Sequence, residues 1–140
     1  MTYTADDIDV LTRTIWGEAR GESPEGRIAV AWTIRNRVFD DKKKSWWGEG
    51  YRGVCTAKWQ FSCWNPSDPN SAYLLGTRPI PAKEYDMCKV AALAVLEGVP
   101  DPTNGATHYY VTKMKNPPGW ATKANRTAVI GAHSFFNRVP

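Results

Sequence analysis

Residues 14–38 read TIWGEARGESPEGRIAVAWTIRNRV. This stretch decides the fold, because it closes one helix, turns, and opens a second around three glutamates, Glu18, Glu22 and Glu25. Upstream, Thr4-Ala5-Asp6-Asp7 has the form of a capping box. Ile8, Leu11, Ile15, Ala19 and Glu22 then recur on one face at helical spacing. Gly21 is expected to end this helix. Ser23-Pro24 begins the next, with serine as N-cap and proline at the first helical position. Ile28, Ala31, Trp32 and Ile34 make that second helix apolar around most of its circumference, so it should be largely buried.

Glu18 sits awkwardly in this pattern. At 100° per residue it lies within about 60° of the apolar stripe, facing the core side or a cleft edge. A carboxylate at a helix C-terminus meets the negative end of the macrodipole. Ile15 and Trp16 desolvate it, and Glu22 adds a like charge. All three effects favour the protonated acid. Such an acid can give its proton to a leaving oxygen, as cleavage of a glycosidic bond requires. The same spacing also allows an interior ion pair of Glu18 with Arg20, Arg35 or Arg37.

The 140 residues suggest one domain, 1–140. No apolar run approaches the roughly 20 residues that span a bilayer. The first residues, MTYTADDIDV, lack the basic and apolar regions of a signal peptide, so synthesis in the cytoplasm is expected. A net charge of +4 suits an anionic polymer as partner, or simple solubility. Seven tryptophans and six tyrosines could stack on sugars in a groove, although most should be core. Cys55, Cys63 and Cys88 are odd in number, so at least one stays unpaired within the chain. Sequence does not choose among the pairings, and cytoplasmic synthesis favours thiols. No CxxC occurs and there are only two histidines, which argues against a dedicated zinc site.

Residues 40–53 read as a polar, glycine-containing loop with a solvated run at Lys42–Lys44. Trp46 and Trp47 there are either a sugar platform or anchors for the loop. WQFSCWNPSDPN (59–70) mixes aromatics with turn chemistry. A long helix is predicted from Pro81 to Glu97, stopped by Gly98. Strands are predicted over 106–112 and 128–136, with the loop NPPGW (116–120) between them. Helices first and a short β segment last predict an α+β domain, mainly helical with a small β-sheet.

The block 14–38 resembles the signature of cell-wall hydrolases of the spore-cortex-lytic type, a family that includes cortex-lytic enzymes and many phage endolysins. The residues carrying it are Glu18-Ala19-Arg20-Gly21-Glu22, Glu25-Gly26 and Asn36-Arg37. QFSCW (60–64), GATHYY (105–110), Trp120 and IGAHSFF (130–136) follow in family order, so the resemblance spans roughly residues 8–136. The family often has Asn-Pro after the tyrosines, where this chain has Val111-Thr112.

The resemblance implies a lysozyme-like fold and a lytic transglycosylase acting on peptidoglycan glycan strands, with no cofactor and no metal. Glu18 would be the single acid/base. It would protonate the glycosidic oxygen after N-acetylmuramic acid, then take the proton of that sugar's C6 hydroxyl as a 1,6-anhydro ring closes. Glu22 would be a supporting group, structural or tuning. Gln60, Ser62, Tyr110, Trp120, His108 and His133 are candidate substrate-binding residues. Adjacent strand positions face opposite ways, so one of Tyr109 and Tyr110 belongs to the core. The resemblance favours Tyr110 for the cleft. Gln60 and Ser62 could equally cap loops, and each histidine could be structural.

A monomeric phage lysis enzyme, released through a holin-type pore and without a nucleic-acid partner, is the expected setting. A virion-associated wall hydrolase is the alternative. A hydrolytic muramidase would keep Glu18 but need Glu22 or Glu25 as a second carboxylate roughly 5–9.5 Å away. A peptidase or amidase would need a metal or a nucleophile such as Cys63 with His108 or His133. A non-catalytic glycan-binding module is the remaining alternative.

Overall fold

The computed structural model describes residues 2–40, 47–57 and 60–139. Lys42–Lys44, Trp46 and Trp59 lie outside the described residues. The first two helices are α1 (Ala5–Ala19) and α2 (Pro24–Val38). The Asp7 N–H donates to Thr4 Oγ1 at 3.0 Å and the Thr4 N–H returns to Asp7 Oδ2 at 3.0 Å, which completes the capping box. The Gly26 N–H donates to Ser23 Oγ at 3.1 Å, so the second cap also forms.

The stretch expected to be a loop over 40–53 contains the start of a short helix, α3 (Gly50–Thr56). Its three glycines hide the signal. Tyr51, Val54 and Cys55 recur at i, i+3, i+4 and are buried. Gly48 and Gly50 take φ values of 97° and 68°, turning the chain into the helix in a region that other residues rarely adopt. A 3₁₀ turn (Ser62–Trp64) and a short helix, α4 (Ser71–Leu75), follow. The long helix α5 spans Ala82–Leu96 and stops at Gly98, whose φ is 90° and whose N–H donates to Val95 O at 3.0 Å.

The sheet comprises β1 (His108–Val111), β2 (Arg126–Ile130) and β3 (His133–Phe136), antiparallel in the order β1-β3-β2. The single strand predicted over 128–136 is therefore a hairpin. Gly131, at φ 57°, turns the chain between β2 and β3. An alternating apolar run on both sides of one glycine cannot by itself tell a strand from two.

The main core brings together Val10, Leu11 and Ile15 of α1, Ala31 and Ile34 of α2, Val54 of α3, and Ala91, Ala92, Val95 and Leu96 of α5. A second, small cluster of Ala29, Ala106 and Phe135 joins α2 to the sheet. Among the described residues, no helix is long and apolar enough to cross a membrane. The last turn of α2 staples the two parts together. Asn36 Nδ2 donates to Asp101 Oδ2 at 3.0 Å and to Ala106 O at 2.8 Å. Arg37 Nε donates to Thr107 O at 2.7 Å. The fold is thus α+β and lysozyme-like, mainly helical with a small sheet.

Candidate active site

Glu18 lies in the last turn of α1 and is half-buried at the seam between the helices and the sheet. The Tyr109 hydroxyl, carried by β1, donates to Glu18 Oε1 at 2.6 Å. Burial, then the adjacent Glu18 charge, raises the Tyr109 hydroxyl well above its ordinary value of 10, so it stays a donor at any neutral pH. Of the two adjacent tyrosines, Tyr109 meets the candidate acid and Tyr110 faces the other way. Strand alternation identified the choice, but only the register, with Tyr109 opposite Phe135, decides it.

The 3₁₀ turn packs against the same end of α1. A Cβ at Gly17 would stand 2.7 Å from both Cβ and Sγ of Cys63, so the residue before Glu18 has to be glycine for this approach. Cys63 is 1% exposed. Burial and the Glu18 charge push its thiol far above the ordinary cysteine range. Burial likewise lifts Cys55 to about 12 and Cys88 to about 11. All three are free, buried thiols. A nucleophilic cysteine needs a thiolate, and Cys63 is held neutral, which argues against a Cys63–histidine nucleophile.

The three arginines that could have neutralised Glu18 are engaged elsewhere. Arg20 donates to Trp16 O at 3.0 Å and Asn70 Oδ1 at 3.2 Å. Arg35 Nη1 donates to Val95 O at 2.7 Å. Arg37 reaches Thr107 O through Nε and Gln60 Oε1 at 2.9 Å through Nη1. Among the described residues, none of the three is within ion-pair distance of Glu18. Arg37 is 6% exposed, and burial lowers its pKa against the opposing pull of Tyr109, Cys55 and Glu18. It therefore adds positive potential near the acid without bonding to it. Its role in joining the Gln60 loop to the sheet was missed from sequence, where it read only as an ion-pair candidate.

Glu22 holds the corner between α1 and α2 to the β2–β3 turn. The Ala132 N–H donates to Glu22 Oε1 at 3.2 Å. A Cβ at Gly131 would come within 2.7 Å of the same oxygen. His133 Nδ1 lies 3.5 Å from Glu22 Oε1, inside ion-pair range but without hydrogen-bond geometry. The His133 ring meets the Tyr109 ring edge-on at 5.1 Å. Glu22, His133, Tyr109 and Glu18 thus form one run of contacts from the turn to the acid. His133 is only 7% exposed, so it sits behind Tyr109 and not on a cleft wall.

The remaining candidates gather elsewhere. His108, Tyr110 and Trp120 lie on the opposite face of β1 from Tyr109. Trp120 meets the His108 ring at 5.0 Å and the Phe136 ring at 5.4 Å, and Tyr110 stacks on Phe136 at 5.3 Å. All three are half-buried, which leaves part of each ring open to a sugar. Gln60 is exposed and accepts from Arg37. Ser62 is exposed and opens the 3₁₀ turn beside Glu18. Trp47 is 5% exposed and anchors its segment instead of presenting a platform.

Comparison with known proteins gives this arrangement a family. The chain is 28% identical over 135 residues to the spore cortex-lytic enzyme of Halalkalibacterium halodurans, covering 96% of this chain and 36% of that protein. It is 27% identical over 133 residues to the spore cortex-lytic enzyme of Oceanobacillus iheyensis, covering 95% of this chain and 42% of that one. The chain thus spans well under half the length of these relatives. The catalytic domain of the Bacillus cereus SleB protein superposes with a TM-score of 0.73 at 26% identity, over 97% of this chain and 93% of that one. The catalytic domain of the germination-specific lytic transglycosylase SleB from Bacillus anthracis gives 0.71 at 26% identity, over 96% and 97%. The family model for cell wall hydrolases matches residues 21–136, starting just after Glu18 and including Glu22, Asn36, Arg37 and the whole sheet. On that match, the chain belongs to the cell wall hydrolase family.

Proposed function

We propose that this chain is a peptidoglycan lytic transglycosylase in which Glu18 is the acid and then the base. The observation that carries this is the pairing of Glu18 Oε1 with the Tyr109 hydroxyl at 2.6 Å, in a half-buried seam where no arginine neutralises the carboxylate among the described residues. With Oε1 occupied by a donor, the proton delivered to substrate is the one on Oε2. It passes to the glycosidic oxygen after N-acetylmuramic acid as the C1–O bond breaks. The C6 hydroxyl of the same sugar then bonds to C1 and returns its proton to Glu18. Because the nucleophile is part of the substrate, no second carboxylate is needed. Glu22, the acid nearest in the sequence motif, has its Oε1 engaged by the Ala132 N–H, which supports a structural role for it.

Mass spectrometry of a peptidoglycan digest tests this, with wild type and Glu18→Gln side by side. The expected products end in 1,6-anhydro-N-acetylmuramic acid, and the variant is slower by a factor on the order of 10²–10⁴, the usual worth of a positioned proton donor. Products heavier by one water would mean a hydrolytic muramidase. Cut peptides on intact glycan would remove Glu18 from the chemistry. Peptidoglycan glycan as substrate is supported by the family and by the names of the structural neighbours. The proposed setting is host lysis, with release through a holin-type pore. Cells expressing the protein without a pore-former should then stay intact, and prompt lysis would count against that setting.

A further inference from the structure

A groove of about 450 Å³ lies on another flank of α1, lined by Trp16 and Arg20, by Asn70 and Tyr73, and by Arg78 and Glu84. Trp16 and Arg20 stand one turn apart on the helix. Glu18, between them in sequence, points about 160–200° away from both. The groove is therefore separate from the seam that holds the acid.

Its charges are arranged in an unusual way. The Arg20 guanidinium lies 4.0 Å over the Trp16 ring, and that of Arg78 lies 4.9 Å over Tyr73. The two rings touch, with centroids 4.9 Å apart. Two cations thus flank one aromatic pair. Trp16 is fixed by its indole N–H, which donates to Glu84 Oε1 at 2.9 Å. Arg20 is fixed by its two bonds to Trp16 O and Asn70 Oδ1. A guanidinium stacked on a ring keeps its in-plane N–H groups available, and Arg20 spends two of five. No carboxylate of the described residues is within ion-pair distance of Arg20 or Arg78. Glu84, the carboxylate in the lining, is held by the Trp16 indole N–H and pairs with neither arginine, so the groove keeps a net positive charge and an apolar wall, the chemistry that takes a carboxylate on a short peptide.

We infer that this groove binds the carboxylate-bearing stem peptide of the glycan strand held at Glu18, an inference that rests on the peptidoglycan reading above. A helix with its side chains is about 10–12 Å across, and four extended residues span about 13–14 Å. A stem can cross the end of α1 at Gly21, which is exposed and has open space where a Cβ would stand.

Two glycan substrates test the inference, one with stems intact and one stripped of them by an amidase. Arg78 is exposed and its guanidinium rests on Tyr73, so Arg78→Gln should fold normally. On stem-bearing strands its KM should rise about tenfold with kcat unchanged, the worth of one charge-assisted hydrogen bond. On stripped strands it should match wild type. Equal loss on both substrates, or no loss on either, overturns the inference. An independent measurement titrates a synthetic stem tetrapeptide and follows the Trp16 indole N–H by NMR. The tetrapeptide should shift that signal, and the same peptide with every carboxylate amidated should not. Equal shifts, or none, also overturn it. If wild type cleaves neither strand, the enzymatic reading fails, and the titration still decides the groove.

Discussion

Around α1 and α5, the core consists of aliphatic side chains delivered at helical spacing, and Val10, Leu11, Ile15, Ala92 and Val95 are fully hidden. The sheet has far less to bury. Its cluster contains one large residue, Phe135, with Ala29 and Ala106. Tyr109, Ala128 and Ile130 add partly buried contacts, and much of the remaining attachment is polar: Asn36 and Arg37 reach across from α2, Asp101 binds Thr103 and Gly105, and Glu22 holds the hairpin turn. Glu18 rides on the strongly anchored part, and its hydrogen-bond donor Tyr109 rides on the lightly anchored one. The geometry around Glu18 therefore depends on the sheet staying where those few contacts hold it.

The largest effect should come from attacking the two cores in parallel. Phe135→Ala should cost about 3–5 kcal/mol and Leu11→Ala about 2–5 kcal/mol, both read from denaturant unfolding. Their effects on turnover should differ. Phe135 is the cross-strand neighbour of Tyr109, with ring centroids 5.7 Å apart, so its removal loosens the donor to Glu18. Leu11 lies two turns before Glu18, in the helical core. At temperatures where both variants are fully folded, Leu11→Ala should keep wild-type kcat and Phe135→Ala should not. Equal kcat losses in the two would abolish the distinction between a structural half and a half that positions the donor.

Legibility in the sequence follows the same division. Both long N-terminal helices, their caps and the Gly98 stop could be read because helix signals are local: a serine or threonine, a spacing of three or four, a glycine at the end. Glu18 could be singled out for the same reason. The hairpin at Gly131 and the short helix after Gly50 could not, since glycine there supplies a turn that only tertiary contacts make necessary. The partners of Glu18 were also hidden. Tyr109 bonds to it from 91 residues away along the chain and Cys63 packs beside it from 45 away, and no periodicity reports a cross-strand register. His133 reads as a substrate-binding candidate in the sequence, but its burial behind Tyr109 depends on that same register.

The finest test of the seam is Tyr109→Phe, which keeps the ring against His133 and Phe135 and removes only the hydroxyl. Stability should fall by about 0.5–1.5 kcal/mol, the net worth of one hydrogen bond, measured as a shift in the urea midpoint. Activity should fall more than stability predicts, by about tenfold in kcat with KM unchanged, because Glu18 loses the contact that orients its carboxylate. If the hydroxyl served packing alone, kcat would hold and only the midpoint would move.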